Sequence, residues 1–235
     1  ALTGRRETLC KVASSIEPMK IDKLTIVFNG EIYNYKELRK ELVNEGVLFK
    51  TETDTEVILQ SYIKWGENCV NKFSGMWSFA VWNELTESLF CSRDRFGIKP
   101  FYFILKNDSF YFSSEIKSLR ITPNFSSQLN INQTSRAIQM GWVGYKNETF
   151  IDCINSLEAG HNLIFENGKL RTYQYWKITN QAKRTDSVEL LVSEFKDLFN
   201  DSLKLHLRSD VPIGATLSGG IDSSAIVCNL LGNEL

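Results

Sequence analysis

The 235-residue chain sets 27 Lys and Arg against 28 Asp and Glu, and 43% of its residues are apolar, an ordinary balance for a globular protein. This near-neutral charge creates no field to gather nucleic acid or an anionic membrane, and no apolar run approaches the roughly 20 residues that span a bilayer. The opening ALTGRRETLCKV lacks the apolar core of a signal peptide, and the five cysteines (Cys10, Cys69, Cys91, Cys153, Cys228) are scattered with no C-x-x-C pair, which fits mostly buried, reduced thiols of a cytosolic protein.

In chain order, residues 23–28 (KLTIVF) read as a strand that stops at the turn signal Asn29-Gly30. Residues 35–45 read as a helix, with Leu38 and Leu42 one turn apart and Gly46 as its stop. A second helix starts near Asp54, a candidate cap, carries Val57, Ile58, Ser61 and Tyr62 on one face, and ends at Gly66. Residues 76–82, 88–93, 101–105 and 109–113 then read as a strand meander, with turns at 83–87 and 106–108. Unbroken apolar stretches such as FYFIL suggest strands covered on both faces, as in a layered sandwich. Short helices are expected at 115–120 and 131–140. A hairpin is expected from 162–166 and 169–175, joined by Asn167-Gly168.

Near Lys177 the character changes. ITNQAKRTDS is polar, has no apolar period and reads as a linker. Residues 186–207 read as an amphipathic helix with Leu190, Leu191, Phe195, Leu198 and Leu203 on its apolar face. Residues 211–217 look like a buried strand, SGG like a glycine loop, and 222–231 like a helix again.

That loop is the sharpest signal in the chain. In Ser218-Gly219-Gly220-Ile221-Asp222-Ser223-Ser224, glycines after a strand let the backbone approach a ligand, and the following helix offers its positive end to an anion. The three serines add hydroxyl donors. No G-K-[ST] follows, so this is not a Walker A loop. Serines in place of the lysine suit pyrophosphate, the leaving group of an adenylation. Asp222 reads either as a helix cap or as part of an ATP and Mg²⁺ environment.

The segment HLRSDVPIGATLSGGIDSS (206–224) closely resembles the pyrophosphate loop of glutamine-hydrolysing asparagine synthetases. FNGEIYNYKELRKEL (28–42) resembles the glutamine-binding segment of that family's N-terminal-nucleophile glutaminase domain. TETDTEVIL (51–59), GMWSFAVWN (75–83), RDRFGIKPFYF (93–103), SSEIKSL (113–119) and LEAGHNLIF…YW (157–176) are similar too, in the family's order. The resemblance implies an α+β fold, a four-layer αββα sandwich over residues 1–178, followed at 186–235 by the start of an α/β adenine-nucleotide alpha-hydrolase-like synthetase domain. It implies that a cysteine thiol hydrolyses glutamine, that ammonia passes through a tunnel, and that ATP adenylates aspartate before ammonia displaces AMP. It places Asn29 and Gly30 in an oxyanion hole, Glu31 and Asp54 on the glutamine substrate, and Leu217, Ser218, Gly219, Gly220, Asp222, Ser223 and Ser224 at ATP. Mg²⁺ is implied by the ATP chemistry and a homodimer by the family; no metal site of the protein's own is implied.

Read on their own terms, Asn-Gly is most often a turn and Asp54 a cap. Arg93-Asp94 reads as a structural ion pair or loop brace, His161 and His206 as structural, and Glu115 with Lys117 either as lining a path between domains or as a surface pair. The family's nucleophile follows the initiator Met, with its α-amino group as base; residue 1 here is Ala1, and Cys10 is not terminal. GRRETLCKVASSIEPM (4–19) resembles a diverged arginine-containing strand that aligns Arg6 with the residue gripping the substrate carboxylate. The chain is therefore expected to be a fragment without full activity, its acceptor pocket lying beyond Leu235. Two other readings stay open: an amidotransferase on the same scaffold acting on a sugar, a lactam precursor or a peptide carboxylate, and a non-catalytic binding module on a degenerate glutaminase fold.

Overall fold

The computed structural model describes residues 18–106, 108–123, 125–179, 184–209 and 212–232. Its strands are β1 (Met19–Ile21), β2 (Leu24–Ile32), β3 (Gly75–Asn83), β4 (Ser88–Arg93), β5 (Tyr102–Lys106), β6 (Ser109–Ser113), β7 (Asn155–Ser156), β8 (His161–Glu166) and β9 (Lys169–Gln174). Its helices are α1 (Tyr35–Asn44), α2 (Asp54–Trp65), α3 (Ile116–Leu119), α4 (Ile131–Met140), α5 (Val188–His206) and α6 (Ile221–Gly232), and a 3-10 segment, Gly66–Lys72, follows α2. The chain divides into two compact units at Ile178.

In the first unit, six of the described strands form an antiparallel sheet in the order β1-β2-β3-β4-β8-β9, and three form a second sheet in the order β6-β5-β7. Side chains alternate across the larger sheet, because successive strand residues point to opposite faces. Ile26, Phe28 and Ile32 of β2 join Phe79 and Val81 of β3 beneath Leu38 and Leu42 of α1 and Val57, Ile58 and Leu59 of α2. The opposite face sends Ala80, Leu89, Cys91 and Leu163 against Phe101, Phe103 and Leu157, with Phe110 and Phe112 packed around them. Phe101 and half-buried Phe112 stack at 5.4 Å, and full burial of a phenylalanine such as Phe101 contributes about 2 kcal/mol. Ile104, Leu119 and Ile154 build a third cluster with Ile116 and Phe125 on the outer side of the smaller sheet. The layers thus run helix, sheet, sheet, helix, the αββα order expected.

Three expectations change. Asn29-Gly30 is not a turn: β2 runs through both residues, which pair with Ser78 and Trp77 of β3. Nine consecutive cross-strand partners outweigh a local turn preference. Asp54 is not the cap of α2. Thr53 has the extended backbone, and its hydroxyl accepts from the Glu56 N–H, so Asp54 is the first helical residue. Leu105, placed in a doubly covered strand, is 42% exposed, because it lies at the end of β5 beyond the inter-sheet core.

The second unit, from Thr179 on, holds α5 and α6. The hydroxyl of Ser187 accepts from the Leu190 N–H and caps α5. The apolar face expected on α5 is formed but not covered, Phe195 being 66% and Leu198 71% exposed. Residues 212–217, expected as a buried strand, are irregular and exposed. A strand is held by its ladder, and among the described residues this unit contains no second strand to supply one. No described helix is long and apolar enough to cross a membrane.

Candidate active site

The far end of β2 gathers the first set of candidate residues. In the β2–β3 ladder, Tyr33 N–H donates to Ser74 O at 2.8 Å and Glu84 N–H to Lys23 O at 2.9 Å, just beyond the two ends of the pairing. Antiparallel pairing alternates, so odd-numbered residues of β2 turn their N–H towards β3 and even-numbered residues turn it away. Ile32 obeys this rule: its N–H donates to Asp54 Oδ2 at 3.2 Å. The N–H of Gly30 is directed to the same edge, two residues earlier. Side chains alternate as well, so Asn29 and Glu31 project to the face opposite Phe28 and Ile32. There the carboxamide of Asn29 donates from Nδ2 to Ser114 Oγ at 3.1 Å. A carboxamide N–H and a backbone N–H one peptide apart, with Asp54 on the same edge, can stabilise a developing oxyanion next to a bound cation.

Gly30 is required by this geometry. Its φ is +152°, and a Cβ there would lie 2.1 Å from Met76 O. The glycine therefore serves close approach of two strands.

Asp54 is placed by a carboxylate below it. Glu56 is buried, and its oxygens accept from Lys50 N–H at 2.8 Å, Thr51 N–H at 2.6 Å and the Thr51 hydroxyl at 2.6 Å. The loop entering α2 is thus tied to the first turn of the helix. Asp94 performs a similar task beside β3. Fully buried, it accepts from the N–H groups of Trp77, Phe96, Ile98 and Lys99. Arg93 donates to the carbonyls of Gly97, Lys99 and Leu157, and burial holds its guanidinium below the usual range. Of the two readings of Arg93-Asp94, loop brace is the one formed, each residue bracing separately. Tyr33 lies close by, and its hydroxyl is pushed up by burial and then by the charges of Glu31 and Asp94.

Glu115 and Lys117 form an exposed pair at 2.5 Å. His161 and His206 bond the carbonyls of Ala159 and Ser202, in keeping with structural roles. Arg6 and Cys10 lie outside the described residues. Ser114 and Glu56 had no role in the sequence reading, although both sit inside quoted motifs; their partners reveal them.

In the second unit, Ser218 and Ser223 bring their hydroxyls to 3.0 Å, and Ser223 also donates to Gly220 O. Gly219 has a φ of +80° with open space where a Cβ would be. Leu217 is 60% exposed. Asp222 lies within the first turn of α6, one residue past its start, so it is not the cap. The loop presents hydroxyls at the N-terminus of a twelve-residue helix, a donor set that fits phosphate oxygens.

A family model described as glutamine amidotransferase domain matches residues 1–176, and one described as asparagine synthase matches residues 194–232. A Bacillus subtilis protein named asparagine synthetase [glutamine-hydrolyzing] 3 is 37% identical over 233 residues, 97% of this chain and 38% of its own length. A Methanocaldococcus jannaschii protein named putative asparagine synthetase [glutamine-hydrolyzing] 2 is 42% identical over 213 residues, 87% of this chain and 39% of its own. The chain thus spans under two-fifths of these curated relatives. A solved structure of glutamine phosphoribosylpyrophosphate amidotransferase from B. subtilis gives a TM-score of 0.48 at 18% identity, covering 89% of this chain and 44% of that one.

Proposed function

Because the chain belongs to the glutamine amidotransferase domain family, matched over residues 1–176, we propose that its first unit is the ammonia-releasing half of a glutamine-dependent asparagine synthetase. The domains run 1–178 for the glutaminase and 186–235 for the start of the ATP-using domain. The observation that carries this is the end of β2, where the Asn29 carboxamide and the Gly30 N–H stand one peptide apart, with Asp54 on the strand edge to which that N–H is directed. Asn29 and Gly30 stabilise the tetrahedral oxyanion, Asp54 pairs with the α-ammonium of glutamine, and Glu31 and Arg6 complete the grip on the substrate.

Neither of the two buried thiols among the described residues, Cys69 and Cys91, serves as the nucleophile. Burial pushes Cys69 up to about 12 and Cys91 well above its ordinary value, so both stay protonated at neutral pH. The nucleophile proposed for the natural full-length polypeptide is the N-terminal cysteine that the family resemblance implies.

Leu217, Ser218, Gly219, Gly220, Asp222, Ser223 and Ser224 are proposed to bind ATP, the serine hydroxyls and the start of α6 receiving the pyrophosphate. Mg²⁺ is proposed as the companion of ATP, from the charge chemistry of the nucleotide phosphates. Aspartate is the acceptor, the assembly a homodimer, and the compartment the cytoplasm.

The test uses the natural full-length polypeptide carrying this sequence. It should convert aspartate to asparagine at the expense of glutamine and ATP, releasing AMP and pyrophosphate. Asp54→Ala should raise KM for glutamine while leaving ammonia-driven synthesis intact. Asparagine formation indifferent to glutamine, or a substrate other than aspartate being amidated, overturns the reading.

A further inference from the structure

We infer that Ser114 is a positioning residue for glutamine hydrolysis, holding the Asn29 carboxamide at the angle its oxyanion contact needs. The inference rests on the assignment of Asn29 to the oxyanion hole.

The terminal torsion of an asparagine is broad and soft. A carboxamide standing on the face of a strand would sample many orientations, and only some direct an N–H to the place beside the Gly30 amide. A donor that must reorient during the reaction loses much of its value, because electrostatic stabilisation depends on preorganised dipoles. Ser114 removes that freedom. It lies between the end of β6 and the start of α3 and is half-buried, and its Oγ accepts one Asn29 Nδ2 hydrogen at 3.1 Å. The second hydrogen on the same nitrogen then has a fixed direction and is left for the substrate.

The bond also crosses the sandwich. Asn29 belongs to the larger sheet, whereas Ser114 follows a strand of the smaller one, 85 residues away in sequence. The bend at Ser114 is itself stiffened, since Glu115 N–H donates to Ser113 Oγ at 3.2 Å. The angle of the carboxamide therefore depends on the mutual placement of the two sheets.

In the natural full-length polypeptide, Ser114→Ala should lower kcat for glutamine hydrolysis about tenfold with KM for glutamine unchanged. Ser114→Thr keeps the hydroxyl and should recover most of the loss. Asn29→Ala should lower kcat about a hundredfold, and adding Ser114→Ala to it should cost nothing more, since the serine acts only through the asparagine. In the chain itself, Ser114→Ala should shift the Asn29 side-chain amide signals in a proton–nitrogen correlation spectrum and speed their exchange with solvent. If Asn29→Ala is damaging but Ser114→Ala is silent, or the two losses add in full, the role of Ser114 is overturned and that of Asn29 stands. If Asn29→Ala leaves kcat unchanged, or the parent hydrolyses no glutamine, the oxyanion assignment fails and takes this inference with it.

Discussion

Asp94 and Trp77 exchange hydrogen bonds in both directions: Asp94 N–H donates to Trp77 O at 2.9 Å, and Trp77 N–H donates to Asp94 Oδ2 at 3.3 Å. The β4 strand ends at Arg93, yet the ladder continues for one more step because a side chain replaces the missing backbone partner. Trp77 is also the residue opposite Gly30. One carboxylate thus anchors both the loop after β4 and the piece of β3 that backs the proposed oxyanion site.

Asp94→Asn should be costly for its size. The substituted amide offers one acceptor oxygen to four N–H groups and turns its own N–H towards the rest. The expected loss is about 3 kcal/mol, read as a lower urea midpoint at neutral pH. Asp152→Asn, an exposed comparison, should change the midpoint little.

Gly30→Ala should separate β2 from β3. The backbone angle is one that side chains rarely tolerate, and the new methyl would overlap Met76 O; together these should cost about 3 kcal/mol or more. Gly46→Ala supplies the contrast. Its φ is +88° but nothing lies near the methyl, so about 1 kcal/mol is expected. Equal losses at both sites in urea titrations would contradict the close approach at Gly30.

Alkali should destabilise the first unit. Burial pushes the Cys69 thiol from 9.0 to about 12, and the Tyr62 and Tyr173 hydroxyls from 10.0 to about 12. Each pKa is higher in the folded state than in the unfolded chain. Between about pH 9 and 12 the unfolded chain releases these protons while the folded protein keeps them, so stability is full below that window and falls as pH rises through it. Urea midpoints at pH 8, 10 and 11 should decline in order. Tyr62→Phe should flatten the decline, because it removes one titrating group and keeps the stacking of this ring on Phe90 at 5.2 Å.

Elements bounded by clear local signals were legible from the chain. β4, β6 and α4 span residues 88–93, 109–113 and 131–140 as expected, each bracketed by turn residues or by a change of hydrophobic period. Long-range pairing decided the rest. Asn29-Gly30 carries a turn preference that a nine-residue partner strand overrides. Thr53 displaces Asp54 as cap because the preceding loop is tied to Glu56. Residues 212–217 carry a strand composition, but among the described residues their unit holds no strand to pair with. Motif order pointed to Asn29, Gly30, Glu31 and Asp54, but Ser114 became visible only as the partner of a side chain 85 positions away.

Gly30 of β2 and Gly75 of β3, which lie on either side of the Glu31–Met76 pair, act together as a key. A methyl on Gly30 would strike Met76 O at 2.1 Å, and one on Gly75 would strike Glu31 O at 2.2 Å. If β2 slid by one position, residues bearing side chains would meet both narrow points, and Asn29 would rotate to face α1 and α2. Only one alignment of the strands avoids both collisions, so the spacing between Gly30 and Gly75 acts as a ruler that any insertion or deletion within either strand would spoil.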